Sequence, residues 1–507
     1  MVKPKSFRPW NPEQTLLLPP SPVDWLPENH LVFFLLDLAG ELNLEEIHAV
    51  YRQKDPRGEK AYEPRMMVVL LLYAYCVGLP SSRKIEKACW EDAAFRVLTG
   101  NQQPDHSRIS DFRRRHLPAL AGLFVQVLRL CQRAGLVSLG QVALDGTKVK
   151  ANASKHKAMS HERMLKSERQ LEAGMRALLR KAEIIDAQED GQYGKGKRGD
   201  ELPEELQRRS SRLEWIRKAK AELEAEAAAA KARQREVQAS EAEADAAAAE
   251  ASGDAQLDKR ASRRARGARK QANDTQKLAL QTAQAAGLES PVLTGDLEPV
   301  AMPQRTLPTD ADGNPNPSAQ RNFTDPESHI LKGSDGWIQG YNAQAAVDGD
   351  HQVIVAIGVS NQASDAVHLL PMLERIEVNA GQVPEALIAD AGYCSTANLE
   401  ACEDRGLNAY ISTSRQQYGQ RPRPSRGRPP ADLDARGRMD RKLRSKAGQT
   451  VYALRKTIVE PVFGQIKGAR GLDRFRLRGL EKVNGEWALM ATTHNLLKLF
   501  RASAAAA

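Results

Sequence analysis

Ala386-Leu-Ile-Ala-Asp-Ala-Gly-Tyr393 carries the most decisive pattern in the chain: a four-residue apolar run, a carboxylate, then a small residue and a glycine. The run reads as a buried strand, which leaves Asp390 at its end. Val142-Ala-Leu-Asp-Gly-Thr-Lys-Val149 repeats the arrangement around Asp145. A third carboxylate, Glu460, stands in Ile458-Val-Glu-Pro-Val-Phe-Gly-Gln-Ile-Lys467, where it opens a helix-like stretch. One Asp at a strand end is ordinarily a turn or cap residue. Three acidic side chains converging on one point are hard to tolerate unless cations hold them, and hard oxygen ligands suit Mg2+ or Mn2+. Two such ions form a device that activates water and stabilises the leaving oxygen in phosphodiester chemistry.

Outward from Asp390, residues 341–347 and 353–359 read as two strands joined by Asp348-Gly-Asp350, a hairpin signal. Ser364 is then expected to cap a helix reaching Ile376. A helix over 396–405 stopped by Gly406 and a strand over 408–412 follow. Strand, hairpin, helix, strand, helix, strand, helix is the order of an RNase H-like fold, a mixed sheet with helices on its faces. Asp145 and Asp390 then fall on neighbouring strands, with a carboxy-terminal helix bringing Glu460 over them. His351, His368 and His494 read as structural, because metal-assisted attack by water needs no protonatable relay.

Between about Lys155 and Gly287 the composition turns to Ala, Glu, Lys, Arg and Gln, with Glu222-Leu-Glu-Ala-Glu-Ala-Ala-Ala-Ala230 as an example. These are strong helix formers, so long solvated helices are expected, broken near 191–199, with low complexity leaving disorder as the alternative. Leu213, Ile216 and Leu223 give a sparse apolar stripe, enough for a helical hairpin that packs weakly on the rest. The basic run 259–266 is able to touch DNA, although a charge run is more often a solvated face.

The amino-terminal part reads as helices: 31–36, 64–78 started by Pro64, one begun at Ser81, and 92–98. Pro104-Asp-His-Ser-Arg-Ile-Ser-Asp-Phe-Arg-Arg-Arg-His116 then offers Asp105 or Ser107 as a cap and Arg108, Arg113, Arg114 and Arg115 as an outer basic face. Helix, turn and basic helix read as a helix-turn-helix unit able to lie in a major groove, or as a solvated basic face on a bundle. Residues 415–446 hold 11 Arg and Lys against 3 Asp, with Tyr418 and four prolines interleaved, and read as an extended loop gripping a nucleic-acid backbone. Trp337 is placed to stack on a base or, more simply, to pack at a rim.

Length and charge set outer bounds. The 507 residues exceed one ordinary core, and a net charge of +10 favours a polyanionic partner. Five scattered cysteines without CxxC spacing suit a reducing cytosol, and the longest apolar run, about 13 residues over 66–78, is short of the roughly 20 that cross a bilayer. A cytoplasmic, nucleoid-associated location is the expectation.

The three acidic segments, together with Gly479-Leu-Glu-Lys-Val-Asn-Gly-Glu-Trp487 and His494-Asn-Leu-Leu-Lys498, resemble the DDE transposases of bacterial insertion sequences, whose catalytic core is RNase H-like. That resemblance implies an α/β architecture: an RNase H-like mixed sheet with flanking helices, an all-α N-terminal domain and a long helical insertion. The divisions expected are 1–135 for helical DNA binding, 136–154 and 320–505 for the catalytic domain, 155–319 for the insertion, and 414–446 for a basic loop within the catalytic domain. It implies Asp145, Asp390 and Glu460 as the catalytic and metal-binding triad for two Mg2+, with Mn2+ able to substitute. Asp145 would bridge both ions. It also implies DNA contacts by Lys467, seven residues after Glu460, by Arg455 or Lys456, and by Arg113, Arg114 and Arg115. Tyr452 and Arg455 lie one residue further from Glu460 than the family's usual spacing. The activity implied is binding of terminal inverted repeats, hydrolysis at the element ends and transfer of 3′-hydroxyls to target DNA, by a homodimer when two ends are paired. The rivals are an RNase H-like nuclease without strand transfer and a catalytically silent DNA-binding protein.

Overall fold

The computed structural model describes residues 22–52, 61–193, 204–251, 255–288, 301–310, 312–333, 336–414 and 432–506, with the single positions 425 and 430. Residues 1–20, most of the break at 191–199, and the 415–424 part of the basic segment with Tyr418 lie outside the described residues. The chain divides into two compact units. One comprises residues 1–134, 469–471 and 488–507, and the other residues 135–468 and 472–487.

The first unit is helical: α1 (Leu31–Leu38), α2 (Glu45–Arg52), α3 (Pro64–Cys76), α4 (Ser82–Glu91), α5 (Ala93–Leu98), α6 (His106–Arg115) and α7 (Leu117–Arg133). Pro64 at the start costs α3 no hydrogen bond, and the Glu63 carboxylate accepts the Met66 N–H at 2.7 Å. Residues 67–76 of α3 are buried all round, which makes it the central helix. It stops at Gly78, whose φ of +76° suits glycine and where a Cβ would lie 2.3 Å from the Arg470 carbonyl oxygen. Asp92 caps α5 and Asp105 caps α6 through side-chain bonds, while Ser81 occupies the cap position of α4 without one.

The second unit is built on a mixed sheet. Its strands are β1 (Gln141–Lys150), β4 (His329–Gly333), β5 (Gly336–Asp348), β6 (Ile354–Ser360), β7 (Ala386–Ala389) and β8 (Asn408–Ile411); β2 (Ala158–Ser160) and β3 (Gln320–Asn322) form a separate pair. The order is β4-β5-β1-β7-β8, with β6 also on β5. Pairing is antiparallel among β1, β4, β5 and β6, and parallel for β1–β7 and β7–β8, which is the RNase H-like mixed sheet. The expected hairpin is present. Two local expectations change. β1 does not end at Asp145 but runs on to Lys150, because residues 145–150 continue the ladder with β5. Ser364 caps nothing: a 3-10 turn (Ala366–His368) precedes α11 (Leu369–Ala380), since the neighbouring Asp365 carboxylate turns inward to three donors of the sheet.

Helices α12 (Thr396–Asp404), α13 (Ala435–Arg444), α14 (Lys446–Ala453), α15 (Arg455–Phe463) and α16 (Leu480–Ala506) complete the units, α16 beginning in the second and ending in the first. The start of α16 is fixed by the segment 325–329, whose role the sequence did not disclose. Asp325 Oδ1 accepts the Tyr341 hydroxyl at 2.8 Å and the Gly479 N–H at 3.1 Å, and Glu327 accepts the Leu480 N–H at 2.6 Å. The basic segment is not an extended loop throughout. Ala435, Met439 and Leu443, four residues apart, bury one face of α13.

The insertion holds α8 (His161–Tyr193), α9 (Glu204–Ala251) and α10 (Ala255–Ala285). Arg269 meets Glu236 and Glu243, and Arg264 meets Asp245, so α9 and α10 run antiparallel. Their seam is closed by alanines: Ala239, Ala242 and Ala249 face Ala265, Ala272 and Ala279, all buried. The base packs more than expected. Leu223 and Ala227 cluster with Leu307 and Ala319, and Ile216 with Met164 and Phe323.

Candidate active site

Register places the first two carboxylates. Leu144 pairs with Ala389 in the parallel β1–β7 ladder, so the next residues, Asp145 and Asp390, stand side by side. Asp390 caps the turn Ala391–Tyr393, its Oδ1 accepting the Gly392 N–H at 2.8 Å. Asp145 lies on β1 with one oxygen on the Gly146 N–H at 2.8 Å. Its other oxygen accepts Arg455 Nη1 at 2.8 Å, while Nη2 of the same guanidinium reaches Glu460 Oε1 at 3.0 Å. One planar cation therefore ties together carboxylates 315 residues apart in the chain. Burial pushes the Asp145 carboxyl up to about 7, the Arg455 charge opposing and the Asp390 charge adding to that shift.

Glu460 sits inside α15 rather than at its start, with Pro461 after it. A proline there leaves the Thr457 carbonyl without its helical donor, and Gln352 Nε2 supplies one at 2.8 Å. The break at Leu454 between α14 and α15 absorbs the extra residue in the spacing: Tyr452 stays beside Arg455, whose charge opposes the burial that raises its hydroxyl. Lys456 is exposed, so the bridging cation is Arg455. After α15 the chain widens into a π turn (Gly464–Ala469), a feature frequent at functional sites. From it Lys467 Nζ reaches Thr147 Oγ1 at 3.0 Å and the Lys148 carbonyl at 3.1 Å, two and three residues along β1 from Asp145.

A fourth carboxylate escaped the sequence reading. Asp365 Oδ1 accepts Asn342 Nδ2 at 2.6 Å, Gln344 Nε2 at 3.0 Å and Lys148 Nζ at 3.2 Å, and its charge raises Asp145. Gly146 makes the approach possible, since a Cβ there would meet Gln344 Nε2 at 2.5 Å and Asp365 Oδ1 at 2.8 Å. The Tyr393 hydroxyl donates to Gln344 Oε1, and Trp487 Nε1 donates to the Gln344 carbonyl at 3.0 Å. His368 is buried and held down at about 4 by desolvation, and His494 is buried too.

The donor set suits a hard divalent cation: carboxylate oxygens from two adjacent strands and a facing helix, around a place where positive charge already resides. Among the described residues no three His, Cys, Asp or Glu are close enough together to hold a metal ion.

In the helical unit, Arg113 is not on the outer face. It is 4% exposed, with Nη1 donating to the Tyr75 hydroxyl at 3.1 Å and the Pro80 carbonyl at 2.7 Å. Three consecutive helical residues span about 200° of arc, so one of the run must face inward. Arg114 and Arg115 are exposed, and Arg114 pairs with Asp111 at 2.6 Å. Trp337 is 61% exposed. No described helix is long and apolar enough to cross a membrane.

Residues 309–496 match the family model described as the Transposase DDE domain, and residues 21–115 match the Transposase domain DUF772. Asp390 and Glu460 fall inside the first match, whereas Asp145 precedes it, separated by the insertion. No curated protein and no solved structure matches the chain. With an RNase H-like sheet, a DDE domain and a second transposase domain on one chain, the protein belongs to the DDE transposases of insertion sequences.

Proposed function

We propose that this transposase binds the terminal inverted repeats of its own element, hydrolyses the phosphodiester bonds at the ends and joins the freed 3′-hydroxyls to target DNA. The observation that carries the reading is the placement of Asp145 and Asp390 side by side on parallel strands, with Glu460 drawn to Asp145 through one guanidinium. Asp145, Asp390 and Glu460 would hold two Mg2+ or Mn2+, which supply Lewis acidity to the scissile phosphate and lower the pKa of attacking water. Asp145, between the other two, would take part in holding both ions. Arg455, once turned from the carboxylates, presents two parallel N–H donors to a phosphate. Lys467, standing beside β1, grips the phosphate next to the one cut. Asp365 keeps Lys148, Asn342 and Gln344 in place behind Asp145. Arg114 and Arg115 contribute to end recognition, and two paired ends call for a homodimer acting on DNA in the cytoplasm.

The test uses purified full-length protein, Mg2+ and linear DNA carrying the element's ends. Cuts with 3′-hydroxyl termini, followed by products joined to a second duplex, are expected. Asp145→Asn, Asp390→Asn and Glu460→Gln should each lower cleavage by about 10³-fold or more, with double variants no worse than single ones. Cutting without joining would leave a nuclease. Binding without cutting would leave a silent DNA-binding protein.

A further inference from the structure

The α9–α10 hairpin separates its charges. On α10, Arg264 and Arg269 flank the alanine seam and are neutralised by Asp245, Glu236 and Glu243 of α9. Lys259, Arg263, Arg266, Lys270 and Lys277 are all exposed. Their spacings of four, three, four and seven residues keep them in one line on the helix, turned away from Ala265, Ala272 and Ala279 of the seam. The line runs 18 residue steps from Lys259 to Lys277, about 27 Å at 1.5 Å per residue. Asp274 stands within the line, four residues after Lys270 and three before Lys277, and Asp258 adjoins its start at Lys259.

A solvated helix face normally mixes signs, with acids four residues from bases. Here α10 supplies two acids, Asp258 and Asp274, against its many cations, and the rest of the hairpin's acids are on α9. The alanine seam leaves all five cations exposed, with Arg266 and Lys270 edging the groove beside Glu243 and Glu250 of α9. A straight row of predominantly positive charge on a rigid rod matches a linear polyanion. Duplex DNA carries one charge per about 3.4 Å of each strand, so the row spans on the order of eight phosphates. No aromatic side chain interleaves with it, which argues for backbone contact without base stacking.

We propose that α10 is a DNA-tracking arm, its basic line lying along the phosphates of duplex DNA in a sequence-independent way. This rests on the proposed DNA-joining function and adds a second binding surface to it. The acids of α9 hold the line in place by fixing Arg264 and Arg269 at the seam, so the five outward cations form a continuous edge.

The test is the salt dependence of binding by the full-length protein, followed by fluorescence anisotropy with a 60-base-pair duplex bearing one element end. Changing Lys259, Arg263, Arg266, Lys270 and Lys277 together to Gln should reduce the magnitude of the negative slope of log K against log salt by about 4.5, since each lost phosphate contact removes about 0.9. An all-Arg version of the same five positions should keep the wild-type slope. Circular dichroism on both variants checks that the helices persist. An unchanged slope in a helical Gln variant overturns the proposal, as does an unchanged slope with loss of self-association in sedimentation, which would make the line a protein contact. If wild-type protein fails to bind DNA, the proposed function falls with it. If wild-type protein binds and cuts while the slope is indifferent to the five residues, only the arm falls.

Discussion

The sheet around Asp145 and the α9–α10 hairpin use the chain in opposite ways. In the sheet, residues are held by partners hundreds of positions away: Asp145 by Arg455, Lys148 by Asp365, Gln344 by Trp487. Polar groups such as Asn342 and Gln344 are fully buried there and satisfied by one another. In the hairpin the order is periodic, and alanine recurs along a seam whose outer faces meet solvent. A site that must hold like charges together needs a unique, desolvated environment. An arm needs only length, stiffness and a charged face. Substitutions should therefore be felt sharply in the first and weakly in the second.

Trp487→Ala should be the harshest test of that contrast for stability. It empties a fully buried site and frees the Gln344 carbonyl, costing about 3–5 kcal/mol in urea unfolding. Removing a far larger number of residues from the arm should cost less. Positions 234 and 275 lie opposite each other by the Arg269 and Arg264 pairings, and replacing all residues between them with a short turn leaves the clusters around Ile216 and Leu223 intact. The sheet's unfolding free energy should then change by no more than about 0.5 kcal/mol. A large loss would mean that the arm supports the core.

A smaller effect concerns pH. Burial raises Asp145 from the ordinary carboxylate range to about 7. Between those two values the folded chain holds a proton that the unfolded chain releases, so stability falls as pH rises through that window. In metal-free solution, wild-type protein should lose more stability between pH 5 and pH 8 than Asp145→Asn does. Equal slopes would show that Arg455 keeps Asp145 ionised throughout.

What the sequence disclosed was local. The Asp390 strand, the hairpin, the Pro64 start and the Asp105 cap all follow from a few adjacent residues. Asp365 was illegible because its three donors come from two other strands, and no spacing announces that meeting. The end of β1 was misjudged because Asp-Gly reads as a turn, while the ladder with β5 overrides it. Two other signals were present and unused. A run of three arginines on a helix cannot face one way, and the four-residue spacing of Ala435, Met439 and Leu443 marks a buried helix face within the basic segment. The start of α15 was misplaced because Glu-Pro resembles a helix beginning, whereas Gln352 makes an internal proline tolerable.

The central claim is that Asp145, Asp390 and Glu460 form a single cation-holding centre whose place is shared by the Arg455 guanidinium. Mn2+ binding to the full-length protein, followed by electron paramagnetic resonance, tests it without reference to turnover. Asp145→Asn, Asp390→Asn and Glu460→Gln should each weaken binding by about 10-fold or more, and Arg455→Gln should strengthen it in the absence of DNA. Unchanged Mn2+ affinity in any one of the three carboxylate variants, or weaker affinity in Arg455→Gln, would contradict the shared centre.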